Sequence, residues 1–170
     1  DIVRRPAYGE RLEVRTLVYD CNKFQGYRNT AIYDEAGRPC LVSWGVGVFV
    51  NLEDGKLAGI PQAVRDAMTM DPRLDMDYLD KKLSLPAADA VTFPPEPVRR
   101  AFMDHNRHVN NARYVEASME FLPAGFSPDR LRIEYRNAAR LGDTFHPFVI
   151  EDGPGRSLVI LADGEGRPYT

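Results

Sequence analysis

Apolar and polar residues alternate in three early stretches of the chain, at the period of two that a half-buried strand imposes. In RLEVRTLVYD (11–20), Leu12, Val14, Thr16 and Val18 fall on one side. GYRNTAIYD (26–34) reads as a second strand. CLVSWGVGVFVNL (40–52) reads as a third, longer one, with Cys40, Val42, Trp44, Val46, Val48 and Val50 along one face. Gly45 and Gly47 fall on the other face, which predicts close approach by a neighbouring element. DEAGRP (34–39), punctuated by Gly37 and Pro39, is a turn, so the three strands form an antiparallel meander.

The pattern then changes. IPQAVRDAMTM (60–70), with Pro61 at its start, suits a short helix. Residues 71–97 hold Pro72, Pro86, Pro94, Pro95 and Pro97, which predicts a linker wrapped on a surface. A second unit follows. VRRAFMD (98–104) alternates like a strand, and DHNRHVNN (104–111) is a polar loop. NARYVEASMEFL (111–122) is a helix capped by Asn110 or Asn111, with Ala112, Val115, Met119 and Leu122 as its apolar stripe. Pro123 and Gly125 stop it. Strands are predicted near 130–137, 143–151 and 156–162, with a turn at 163–168. The domain boundaries are thus 1–70, a linker over 71–97, and 98–170.

The two halves echo each other. IVRRPAYGERLEV (2–14) is similar to IEYRNAARLGDTF (133–145), and YDEAGRP (33–39) to ADGEGRP (162–168). Gly142 follows Gly9 by 133 residues and Gly166 follows Gly37 by 129. Matching order and spacing argue for a duplicated unit. In the second copy a strand, loop and helix precede the meander. The corresponding material of the first copy is expected upstream of Asp1, about 40 residues or more by the repeat length. A last strand is likewise expected beyond Thr170.

Composition narrows the function classes. An apolar fraction of 44% and a charged fraction of 28% are those of a globular protein with a real core. A net charge of −3 gives no global field for nucleic acid. Cys21 and Cys40 fit free buried thiols in a reducing compartment. No apolar run approaches the roughly 20 residues that span a bilayer. These features predict a cytoplasmic protein with neither nucleic-acid nor membrane partners.

Chemistry concentrates in Asp104-His105-Asn106-Arg107-His108-Val109-Asn110-Asn111. Set at a helix start, the backbone N–H groups of Val109, Asn110 and Asn111 would meet a developing oxyanion with the positive end of the helix dipole. Asp104 or His108 could serve as a base or nucleophile. Asn106 could orient a water or a carbonyl without titrating. A plainer reading is also open, because Asp and Asn are the commonest helix caps. His105 reads as solvated and His146 as a strand-edge or core histidine. The loop lacks the glycine and distal Glu of a calcium site, and the His and Cys content gives no zinc pattern. There is no G-x-S-x-G elbow, since Ser43 lies in a strand, and no dinucleotide or phosphate-binding loop.

DHNRHVNNARYVE (104–116) resembles the D-x-N-x-H-V-N-N-x-x-Y signature of plant and bacterial acyl-acyl carrier protein (acyl-ACP) thioesterases. RPAYGERLEVRT (5–16), GYRNTAIYDEAGRP (26–39), IP-x-x-V-R (60–65) and RIEYRNAARLGD (132–143) extend the likeness over nearly the whole chain. The resemblance implies an α+β fold of two tandem hot-dog domains, each antiparallel sheet wrapping a central helix, with the first repeat here lacking its N-terminal helix. It implies hydrolysis of fatty acyl-ACP to free fatty acid, ending chain elongation, with no metal or other cofactor. Asp104, Asn106 and His108 then hold the catalytic positions. The acidic carrier protein would dock on arginines such as Arg99, Arg100 and Arg113, and a homodimer is compatible with the family. The alternatives are an acyl-coenzyme A thioesterase and a non-catalytic acyl-binding hot-dog protein. One departure bears on the choice. A Glu that the family places after Tyr135-Arg136-Asn137 is Ala138 here, and the Cys of plant members is Ala139. Either Asp104 or His108 alone supplies the base, or Glu134 substitutes, or activity is reduced; the first is preferred.

Overall fold

The computed structural model describes residues 1–51, 53–79, 82–83, 85 and 88–170. The chain divides into two compact units, Asp1–Asp80 with Pro128–Leu131, and Lys81–Ser127 with Arg132–Thr170.

The first unit is built on the antiparallel meander, with β1 (Leu12–Cys21), β2 (Gln25–Asp34) and β3 (Pro39–Val48) in the order β1-β2-β3. Side chains set its two hairpins. Asn22 Oδ1 accepts the N–H groups of Phe24 and Gln25 at 2.9 and 2.8 Å, closing the first turn. Gly37, at φ 74°, supplies the left-handed residue of the second. Asn29, fully buried, donates to the Ser43 carbonyl and accepts from the Tyr78 hydroxyl at 2.8 Å and the Leu74 N–H at 3.2 Å. It thereby fastens part of the 71–79 segment to the sheet.

Three expectations for this unit need correction. β3 ends at Val48, and Val50 instead bridges to Leu57 across a turn in which the Gly55 N–H donates to the Asn51 carbonyl; Leu52 lies outside the described residues. Nothing stands within 4 Å of where a Cβ on Gly45 or Gly47 would be, so that face of β3 is open among the described residues. The helix expected over 60–70 is only α1 (Gln62–Ala67), and it buries no residue.

In the second unit β6 (Thr144–Glu151) is central. β7 (Ser157–Ala162) pairs with it as a hairpin, while β4 (Ala90–Thr92) and β5 (Glu96–Pro97) pair with successive stretches of it. The predicted linker is therefore part sheet. Its prolines conceal this, because Pro lacks a ladder donor and is tolerated only at edges and strand ends; Pro86 lies outside the described residues. The strand expected over 98–104 is a single 3-10 turn, Arg100–Phe102, and residues 130–137 form no strand. The second helix, α2 (Asn111–Met119), stops three residues early and buries Tyr114 and Ala117 rather than the stripe predicted through Ala112. The reason is aromatic packing: Tyr114 and Phe121 enter the core that holds Val98, Val109, Ala139, Phe145, Leu161 and Tyr169. Phe145 takes Tyr169 edge-on at 5.8 Å and Tyr114 at the same distance.

The sequence echoes are the same turns in three dimensions. Asp34 Oδ1 accepts the N–H groups of Ala36 and Arg38, and its Oδ2 takes the Arg38 guanidinium at 2.9 Å. Asp163 does likewise with Glu165, Arg167 and the Arg167 guanidinium at 2.7 Å. At the other echo Glu10 caps the Ala7 N–H at 2.9 Å and Asp143 caps the Arg140 N–H at 2.8 Å, each next to a glycine of positive φ.

Candidate active site

The polar loop is closed at its base by an antiparallel bridge between Met103 and Val109. Above it the Asp104 N–H donates to the His108 carbonyl at 2.9 Å, and the Arg107 N–H donates to the Asp104 carbonyl at 3.1 Å. So tight a loop needs one left-handed residue, and Arg107 takes it at φ 61°. Asp104 Oδ1 accepts the Asn106 N–H at 2.8 Å, which fixes the carboxylate within the turn.

This geometry brings two of the three predicted residues together. His108 Nδ1 lies 3.6 Å from Asp104 Oδ2, with the His side chain 35% exposed and the Asp 17%. That is beyond a good hydrogen bond but near enough for a charge on one side chain to act on the other. Partial burial opposes the Asp104 charge, but the Asn106 N–H and the neighbouring His108 outweigh it and hold the carboxyl below the usual aspartate range. Asn106 is exposed, and its part in the loop is its backbone N–H rather than its amide. His105 is exposed as well.

The helix start narrows the oxyanion donors. Val109 N–H donates to the Ala139 carbonyl and Asn110 N–H to the Phe102 carbonyl, both at 2.8 Å. Neither is available to a ligand, which corrects the expectation that all three N–H groups are free. The loop needs both bonds to seat α2 on the core. The Asn110 side chain caps the Ala112 N–H at 2.9 Å, and Asn111 N–H has no partner among the described residues.

His108 and Asn111 open onto a hollow of about 210 Å³, whose walls also include Tyr114, Tyr135, Arg136 and Ala138. The position where the family carries Glu thus faces the same space as His108. Glu134 is not in that wall. Its carboxylate accepts the Leu83 N–H at 2.5 Å and pairs with Arg136 at 2.9 Å, and with no strand over 130–137 it shares no strand face with residue 138. The substitution of Glu134 for the missing Glu is therefore unsupported. Tyr135, whose hydroxyl donates to the Asn111 carbonyl at 3.1 Å, was legible only as an alignment landmark, although its aromatic-basic pairing with Arg136 marked the right place. Among the described residues no group of three His, Cys, Asp or Glu side chains could hold a metal ion.

The predicted docking arginines are all exposed, but their charges are not equally free. Arg113 pairs with Glu116 and Arg99 lies 4.0 Å from Glu96, whereas Arg100 has no carboxylate partner among the described residues.

Residues 1–68 match the acyl-ACP thioesterase N-terminal domain and residues 87–163 its C-terminal domain. The chloroplastic acyl-acyl-carrier-protein hydrolase FATB3 of Cuphea viscosissima is 26% identical over an alignment of 150 residues that covers 82% of this chain and 36% of that protein. The chain therefore spans little more than a third of the length of that curated relative. Among solved structures, the acyl-ACP thioesterase of Bacteroides thetaiotaomicron superposes with a TM-score of 0.78 at 21% identity, over 94% of this chain and 66% of that one. The 12:0-ACP thioesterase of Umbellularia californica does so with a TM-score of 0.74 at 21% identity, over 99% and 68%. These likenesses carry the fold, a tandem pair of hot-dog domains.

Proposed function

Because the chain belongs to the acyl-ACP thioesterase family, we propose that it hydrolyses fatty acyl-ACP thioesters to free fatty acid and carrier protein through His108 and Asp104. The observation that carries this reading is the imidazole on the wall of a hollow with a charged carboxylate 3.6 Å behind it.

The steps follow from the geometry. Neutral His108 takes a proton from water as the oxygen adds to the thioester carbonyl carbon. Asp104, ionised throughout the neutral range, stabilises the imidazolium so formed. The carbonyl oxygen becomes an oxyanion, and Asn111 N–H at the positive end of α2 is the donor open to it. Collapse of the tetrahedral species breaks the carbon–sulfur bond, and His108 returns its proton to the departing thiolate. Asp104 and His108 together supply the base, so Ala138 does not leave the reaction without one. No metal or redox group enters any step.

The test is release of free fatty acid from acyl-ACP by the purified protein, with His108→Ala alongside. Turnover that disappears in the variant supports the reading. A wild-type protein that binds acyl-ACP without cleaving it would instead favour an acyl-binding role, the alternative that Ala138 permits.

A further inference from the structure

Tyr114 is the last residue of the polar signature, and the reaction above gives it no task. The residue is 98% buried, its ring packed against Phe145 and Tyr135. A tyrosine hydroxyl carried that deep needs a partner. Its partner is not another side chain but the backbone N–H of Ala139, which donates to the Tyr114 oxygen at 2.8 Å. The carbonyl of the same residue accepts Val109 N–H, also at 2.8 Å. Ala139, fully buried, is thus held at both of its polar groups by one stretch of chain, residues 109–114, that also carries Asn111. Ala138, its neighbour, lines the same hollow as His108.

We propose that Tyr114 is a positioning residue: its hydroxyl clamps the Ala138–Ala139 wall against the start of α2 and so sets the width of the hollow between His108 and that wall. Without it the wall would keep its bonds to the chain end, from the Arg136 and Asn137 N–H groups to the Tyr169 carbonyl and from the Asn137 amide to the Pro168 carbonyl, but would be tied to the start of α2 only by the Val109 bond and the Tyr135–Asn111 contact. The latter is exposed and open to exchange with water. Burial raises the Tyr114 phenol above its ordinary pKa, so the hydroxyl stays neutral across the working pH range and the clamp does not depend on pH. Phe at this position would keep the ring contacts and remove only the acceptor.

The kinetic part of this inference rests on the thioesterase reading; the structural part does not. The experiment is therefore run in two arms on wild type and Tyr114→Phe. In the first, amide hydrogen exchange is followed at Ala139. The wild-type amide should be strongly protected, and Tyr114→Phe should speed its exchange about tenfold or more, as expected when a buried donor loses its acceptor. A wild-type Ala139 amide that exchanges freely, or one unchanged in the variant, would overturn the clamp. In the second, hydrolysis of acyl-ACP is measured. kcat should fall about three- to tenfold, the worth of one hydrogen bond, while KM moves less than about twofold. Faster exchange with unaltered kcat would leave Tyr114 a purely structural residue and defeat the positioning claim. A wild-type protein that cleaves no thioester would sink the thioesterase reading alone, because the exchange arm still decides the clamp.

Discussion

His108 and Asp104 differ in how directly they meet the substrate, and their variants should differ accordingly. His108 is at the hollow and Asp104 stands behind it. Loss of the imidazole in His108→Ala should lower kcat by roughly two to four orders of magnitude, and Asp104→Ala should fall in the same range. Steady-state kinetics with a single acyl-ACP would check both, and a near-normal rate in either would remove that residue from the mechanism. The Asp104 carboxyl is held below its ordinary value of 3.8. A carboxyl depressed on folding stabilises the protein above its unfolded pKa, and the contribution is lost as pH falls through the lower folded value. Wild type should therefore be more resistant to urea than Asp104→Asn at pH 6, and the gap should narrow as the pH is taken below 3.8. A gap that widened in acid would show that the sign of the coupling is wrong. Ala138→Glu puts a carboxylate into the wall of the hollow that His108 also lines. With the base already present, turnover should change by less than about threefold. A gain beyond tenfold would mean that the family Glu is the missing catalyst.

At the scale of elements, caps and turns bind the structure as much as the sheets do. Asn110→Ala removes the acceptor for Ala112 N–H and should cost about 1 kcal/mol in chemical denaturation, with the catalytic pair untouched. Leu161 is fully buried, and Leu161→Ala should cost roughly 2–5 kcal/mol by opening a cavity in the core of the second unit. These elements also mark how far the sequence could be read. β1, β2, β3, β6 and β7 were legible because alternation and turn chemistry agree there: Gly37 and Gly166 sit in twin turns whose aspartates make the same bonds. The stretch 98–104 also alternates, yet Val98 enters the core just ahead of a 3-10 turn and Phe102 packs on it from that turn. Alternation records which side chains are buried, not whether the backbone joins a ladder. β4 and β5 were hidden for the opposite reason, since pairing at an edge needs little from a proline-rich sequence. In the site, spacing placed Asp104 and His108 in one short polar loop without saying that they meet as its two ends. It could not show that Val109 and Asn110 spend their N–H groups on Ala139 and Phe102, because those partners are set by tertiary packing.

For the whole molecule the open choice is between a carrier-protein thioester and a coenzyme A thioester, which present the same scissile bond on different handles. The acidic carrier protein would be drawn by exposed arginines, whereas a coenzyme A substrate has no need of a protein-sized docking face. The structure ranks those arginines. Arg113 is paired with Glu116, so its field beyond the surface is largely cancelled, and Arg99 is partly offset by Glu96. Arg100 has no carboxylate partner among the described residues and projects its full charge. Arg100→Glu alone should therefore raise KM for acyl-ACP more than Arg99→Glu or Arg113→Glu, by about tenfold at low salt, and added salt should shrink the effect. The same variants assayed on acyl-coenzyme A should stay within about twofold of wild type. Equal losses on both substrates would place the arginines in stability rather than docking and would favour a coenzyme A thioesterase. The order of the three single variants is the stricter test: a docking face made of free charge must rank Arg100 first, whereas general weakening of the second unit gives no reason for any order.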